Sequence, residues 1–317
     1  MKHLLYLTIF SGVIFGGCRH YSAGKKRDII IFHAGSLSVP LKEIAGEYEK
    51  KHPDIRILLE PAGSLVCARK VTELKKPCDI IASADYFVIN EILIPNYASW
   101  GIRFATNEIV IAFQDKSRYS SQINQDNWMD ILLKNDVTFS RSDPDADPCG
   151  YRSVMLFRLA DKYYNKPGLS EKLLAKNRDF IRPKEVDLVA LIESNAVDYM
   201  FQYKSVAIQH NLKYISLPSA INLGDPGKTN LYNSVGTDVT GSTPGSKMTV
   251  KGDFINYSVT VLDNAVNKAD AIDFVSFLLS RDGMEILRKN GQNPIQPYLT
   301  EEPDKLPGEL RKFFSTN

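Results

Sequence analysis

The sequence predicts an α/β fold with mainly parallel sheets, and three observations carry that prediction. Short apolar runs of strand length recur along the chain, beginning with Ile29-Ile30-Ile31-Phe32. Stretches of helical periodicity alternate with them. Gly, Pro, Ser or Asp stands at most of the junctions. Runs without polar alternation belong to strands buried on both faces, and parallel neighbours need a crossover that is usually a helix.

The elements follow in order. Residues 28–32 form a strand that runs into His33-Ala34-Gly35-Ser36. A helix comes next, with Leu37, Leu41, Ile44, Ala45 and Tyr48 on one face, and His52-Pro53-Asp54 ends it. Residues 55–60 are a second strand, and Pro61-Ala62-Gly63-Ser64 opens a helix whose core positions are Val66, Val71 and Leu74. Residues 80–84 are the third strand, followed by Asp85-Tyr86. The run 106–113 reads as one strand. Further on come a short strand at 137–140, a polar loop at 141–150, a helix from about Tyr151 to Tyr164, a helix ending near Ser194 and a strand at 197–201. Residues 223–253, rich in Gly, Asn, Ser and Thr, read as loops and edge hairpins. A strand at 257–262 and helices at 268–279 and 281–290 close the chain.

Length and composition bound the rest. A chain of 317 residues suggests two domains or one large one. Its 39 Lys+Arg against 37 Asp+Glu leave a net charge of +2, which argues against nucleic-acid binding through a basic face. Hydrophobic residues at 44% and charged residues at 24% exclude collagen-like, coiled-coil and wholly disordered classes. No apolar stretch reaches the ~20 residues that span a bilayer.

The first residues read as an address. Lys2 and His3 precede an apolar run, Leu4 to Gly17, that ends in Phe15-Gly16-Gly17-Cys18. Small residues before a Cys resemble a bacterial lipoprotein box, with Phe15 where Leu is usual. The expectation is a signal peptide over 1–17, a lipidated Cys18 and a polar tether over 18–27, in an exported, membrane-anchored protein. Three other cysteines, Cys67, Cys78 and Cys149, match no zinc spacing. One disulfide with a free thiol and three reduced thiols both remain open.

Several motifs fail on inspection. Gly227-Lys228-Thr229 lacks the Gly a phosphate loop needs at position 222, which is Asn. The segment 143–147 mimics a calcium loop, but its glycine position is Pro148 and its bidentate position is Val154. No HExxH and no Gly-x-Ser-x-Gly elbow occurs, and His33 reads as a histidine serving local hydrogen bonds.

One pattern does carry chemistry. Ala34-Gly35-Ser36-Leu37 and Ala62-Gly63-Ser64-Leu65 repeat a tetrapeptide between strand and helix. Glycine permits close approach of the backbone to a ligand, and a helix N-terminus attracts anions. Two such turns at the carboxyl edge of one sheet converge on one crevice. Simple N-capping by each Ser is the alternative.

These residues, with seven longer stretches, resemble the periplasmic molybdate/tungstate-binding proteins of ABC transporters, in their archaeal-type tungstate-binding branch. The stretches are 34–40, 61–74, 79–86, 106–113, 147–153, 197–214 and 255–262, in the expected order. The resemblance implies a two-lobed periplasmic binding protein of type II, each lobe a mainly parallel sheet flanked by helices. Lobe 1 would comprise 28–106 and 262–317 and lobe 2 107–261, with strands 106–113 and 257–262 crossing between them. It implies capture of tungstate or molybdate, delivery to ABC permease subunits, no enzymatic activity, no cofactor, no nucleic acid and a monomer.

The same resemblance implies the site. Ser36 and Ser64 would contact the oxyanion, and Asp147 of Asp147-Pro148-Cys149-Gly150-Tyr151 would give a carboxylate oxygen to the Mo/W centre. A second carboxylate is expected in a D-Y-x-F-E-Y pattern, where this chain has Gln202. Gln202 offers a neutral carbonyl oxygen or an NH2 donor, so a site nearer tetrahedral is expected. Tyr203 would offer its hydroxyl, and the backbone N–H groups at Cys149 and Gly150 would serve as donors. Asp85 reads as a helix cap or hinge residue and Arg152 as a reserve anion contact. Rival readings are a binder of sulfate or phosphate, a cleft enzyme using Asp147, and an anchored sensor or adhesion module.

Overall fold

The computed structural model describes residues 26–241 and 245–314. The expected signal peptide, Cys18 and all but the end of the tether lie outside the described residues. Two mixed sheets, each flanked by helices, form a two-lobed α/β structure. The first sheet uses β1 (Arg27–Ala34), β2 (Ile55–Ala62), β3 (Ile80–Ser83), β4 (Ile102–Thr106), β12 (Asn256–Val261) and β13 (Asn293–Leu299), in the order β13-β4-β12-β3-β1-β2. The second uses β5 (Ile109–Phe113), β6 (Phe139–Ser142), β7 (Ile181–Arg182), β8 (Tyr199–Tyr203) and β9 (Lys213–Ser216), in the order β7-β6-β8-β5-β9. Strands β10 (Gly236–Thr240) and β11 (Lys247–Lys251) make the separate hairpin expected in the polar region.

Register explains why the repeated tetrapeptides meet. β1 and β2 run parallel with Ala34 opposite Ala62, so the two Gly-Ser turns leave the sheet side by side. His33 lies opposite Ala82 of β3, which brings Ser83 and Asp85 to the same edge. α1 (Ser38–Lys51) and α2 (Ser64–Thr72) follow the first two strands. In the second lobe, α3 (Trp128–Leu132) is short, and α4 (Pro148–Tyr163) follows β6.

Both cores are apolar and closely packed. Ile29, Ile31 and Phe32 of β1 are buried between helices, as their unbroken apolar run requires. In the second lobe Phe201 has Trp128, Phe139 and Phe157 edge-on at centroid distances of 5.9, 5.7 and 4.7 Å. Truncating such a ring typically costs about 3–5 kcal/mol. No helix among the described residues is long and apolar enough to cross a membrane.

Four features differ from the sequence reading. The run 106–113 is split by Asn107-Glu108, so β4 and β5 belong to different sheets. Asn107 Nδ2 donates to Ser205 Oγ at 2.8 Å and to Tyr257 OH at 2.9 Å, which fixes the crossing point. β12, expected to cross between the lobes, pairs along its length with β3 and β4 of the first sheet. The sheets are mixed rather than mainly parallel. β5 and β12, which carry the chain into each lobe, run against the strands that lead to helices. β13 escaped notice because it contains Pro294 and Pro297, residues that an edge strand tolerates.

Candidate functional site

The first lobe contributes the two Gly-Ser turns. Ser36 and Ser64 are fully buried, yet neither side chain caps a helix. Ser36 Oγ accepts from Tyr257 OH at 3.1 Å, and Ser64 Oγ accepts from the Ala84 N–H at 3.1 Å. Each hydroxyl therefore keeps its own proton to donate, which removes the plain-capping reading. Gln292 Nε2 holds the carbonyl of Ser36 at 3.0 Å. Glycine is required at 63, where a Cβ would collide with the carbonyl of Ala146 and lie 2.9 Å from that of Pro183. The lobes meet backbone to backbone at that point.

The second lobe contributes carboxylates. Asp147 is the N-cap of α4 with Pro148 after it, which is why the helix begins before the expected Tyr151. Asp147 Oδ1 accepts from the Cys149 N–H at 3.3 Å, while Oδ2 is buried without a hydrogen-bond partner. The N–H groups of Cys149 and Gly150, expected as anion donors, are both taken by Asp147, that of Gly150 through its carbonyl at 2.9 Å.

The sequence reading missed Glu185. It lies in the loop between β7 and the helix Asp187–Glu193, and it is fully buried. Its Oε1 accepts from the N–H of Ser36 in the other lobe, and its Oε2 has no hydrogen-bond partner. A Cβ on Gly35 would stand 3.1 Å from both of its oxygens, so that glycine admits the carboxylate. Burial first, and then the neighbouring Glu185, push the Asp147 carboxyl well above the usual carboxylate range. The available signal was an acidic residue in Arg182-Pro183-Lys184-Glu185, between a short strand and a helix.

Gln202 sits beside these groups with its amide committed. Nε2 donates to the Glu185 carbonyl at 2.7 Å, and Oε1 accepts from the Tyr203 N–H at 2.7 Å. It fixes the Glu185 loop. Tyr203 is buried with its hydroxyl unpartnered, 6.0 Å from Tyr257 between ring centroids. Asp85 does cap, taking the Phe87 N–H on Oδ1 at 3.1 Å, but its other oxygen pairs with Arg152. His33 is buried with Nδ1 2.8 Å from the Ala34 carbonyl, and desolvation lowers its pKa to about 4. Cys67, Cys78 and Cys149 are free and buried, and burial raises all three thiols, Cys67 and Cys78 to about 12. Gly227 and Lys228 fall in a short turn capped by Asp225.

The chemistry of this cleft is specific. Neutral hydroxyls are buried on the first lobe's side of this interface and two carboxyl groups on the second lobe's. A plain dianion gains from the donors but is repelled by the carboxylates. A ligand with a Lewis-acidic centre can use both.

Comparison with known proteins places the fold. The model of the bacterial extracellular solute-binding proteins matches residues 29–293. The chain belongs to that family. It is 45% identical over 310 residues to the molybdate/tungstate-binding protein WtpA of Pyrococcus abyssi, covering 89% of each chain. It is 43% identical over 317 residues to an uncharacterized solute-binding protein of Petrotoga mobilis, covering 99% of this chain and 98% of that one. Among solved structures it resembles the periplasmic molybdate-binding protein of Azotobacter vinelandii, with a TM-score of 0.63 at 16% identity. That match covers 84% of this chain and 100% of the other. Family membership points to an extracytoplasmic solute-binding role.

Proposed function

We propose that this chain captures tungstate or molybdate in the cleft between its lobes and hands it to the permease of an ABC transporter. The observation that carries the reading is the pair of unpartnered carboxyl oxygens, Asp147 Oδ2 and Glu185 Oε2, buried where the second lobe meets Ser36 of the first. Two carboxyl groups crowded together in the interior are costly to ionise, and where ionised they repel sulfate or phosphate. Hexavalent molybdenum and tungsten accept further oxygen ligands beyond four; sulfur does not. Asp147 and Glu185 would add to the four oxo groups, with the Ser36 and Ser64 hydroxyls and Tyr203 OH donating to the oxo oxygens. Glu185 thus supplies the charge that Gln202 lacks, and Gln202 becomes its positioning residue. The 45% identity to a protein named for molybdate and tungstate supports the same reading.

The chain is proposed to work without turnover, as an exported monomer held by lipid on Cys18 and tethered by residues 18–27. The lobes would divide the chain at the β4–β5 crossing and before β12. The test is titration calorimetry on residues 19–317 with tungstate, molybdate, sulfate and phosphate. Tight binding of the first two with silence from the others is the expected result. Sulfate bound with comparable strength would overturn the reading in favour of a general oxyanion binder.

A further inference from the structure

The lobes are also joined by an ion pair beside the groups already described. Asp85, just after β3, belongs to the first lobe; Tyr151 and Arg152 lie on α4 in the second. Asp85 Oδ2 accepts from Tyr151 OH and from Arg152 Nη2, both at 2.6 Å. Arg152 Nη1 donates to the carbonyl of Asp253. The side chains of Asp85 and Arg152 are 0% and 1% exposed, so this ion pair is dehydrated. An opening between the lobes would separate its two members and rehydrate them.

From this geometry we infer that Asp85, Tyr151 and Arg152 form a matched closure latch, which admits the closed cleft only when both charges are present to pair. The inference rests on the reading of the cleft given above. Its physical basis is that latch and ligand site share one rigid body. Asp147 caps α4, Tyr151 follows one helical turn later, and Arg152 is the next residue. Seating the latch therefore fixes Asp147 against the first lobe, and a misplaced helix leaves a buried charge unpaired.

The energetics suit a latch rather than a clamp. The attraction within a buried ion pair roughly offsets its dehydration, so the intact pair adds little net drive to closure. Removing one partner is different, because closing then buries the other charge uncompensated. Asp85, Tyr151 and Arg152 are thus positioning residues for capture, and none of them needs to touch the ligand.

The test measures tungstate dissociation from the full chain by competition with excess molybdate, alongside small-angle scattering and the melting temperature. Asp85→Asn and Arg152→Met are each expected to speed dissociation roughly 10²-fold. Tyr151→Phe is expected to speed it about tenfold, and the double variant Asp85→Asn/Arg152→Met to return within tenfold of wild type, since no lone charge remains. Single variants that release tungstate at the wild-type rate, whatever their melting temperature, overturn the latch. If those variants fail to fold, Tyr151→Phe, which keeps the ion pair, decides by the same criterion. If the wild type binds none of the four oxyanions, the cleft reading fails, and scattering without ligand then judges the latch. A larger radius of gyration for Asp85→Asn than for wild type supports it; equal radii overturn it.

Discussion

The two halves of the cleft are built on opposite principles. The first lobe offers neutral groups: the Ser36 and Ser64 hydroxyls, and beside them His33, which burial keeps unprotonated. The second lobe offers Asp147 and Glu185, two carboxylates buried against each other. A site for sulfate would need only the first half. On the proposed reading the second half is a cost that only a ligand with vacant coordination positions would repay, and selectivity would reside in the groups that an ordinary oxyanion would avoid.

The most direct way to break this contrast is to neutralise the second half. Asp147→Asn and Glu185→Gln should each weaken tungstate binding by about 3 kcal/mol, roughly 10²-fold, and bring sulfate binding up from silence, as read by calorimetry. Unchanged tungstate affinity in Glu185→Gln would return the second ligand position to Gln202.

The halves should also titrate in opposite directions. The His33 pKa falls from 6.5 unfolded to about 4 folded, so its contribution is present above the unfolded value and is lost as pH falls through that window. The span corresponds to up to about 3 kcal/mol, and a His33→Gln variant should flatten the acid limb of a melting-temperature profile. Asp147 is shifted upward, so its contribution to the ligand-free fold is present at acid pH and is lost as pH rises through and beyond the carboxylate range. Asp147→Asn should therefore remove that loss and raise the ligand-free melting temperature at neutral pH.

Contact between the halves can be blocked instead. Gly63→Ala places a methyl group against the Ala146 carbonyl, which should hold the lobes apart and cost about 1–3 kcal/mol of affinity while leaving each lobe folded. Circular dichroism with calorimetry separates the two effects. The smallest change is expected in the first half, where Ser36→Ala removes one neutral donor and should lower affinity about tenfold.

The two Gly-Ser turns were legible in the sequence because their pattern is local, whereas Asp147 entered through the resemblance to known binding proteins. Each turn is a strand-to-helix junction, and the register of β1 and β2 makes the two equivalent. Glu185 was not legible for the converse reason. It sits in a loop after a two-residue strand, and its role comes from Gly35 and Ser36, some 149 positions away in sequence. Asp85 read as a cap and is one, but its second oxygen faces a residue on the other lobe, which no local pattern reveals. The split between β4 and β5 was hidden because two polar residues inside an apolar run mark the crossing only once the sheets are seen apart.

The three thiols carry a consequence for how the molecule can be made. Held near pKa 12, Cys67 and Cys78 would be thiolate in roughly one molecule in 10⁵ at neutral pH, and Cys149 is buried and shifted in the same direction. Among the described residues no covalent crosslink ties strand to helix or lobe to lobe. On the proposed reading, the described residues would fold after export without forming a disulfide.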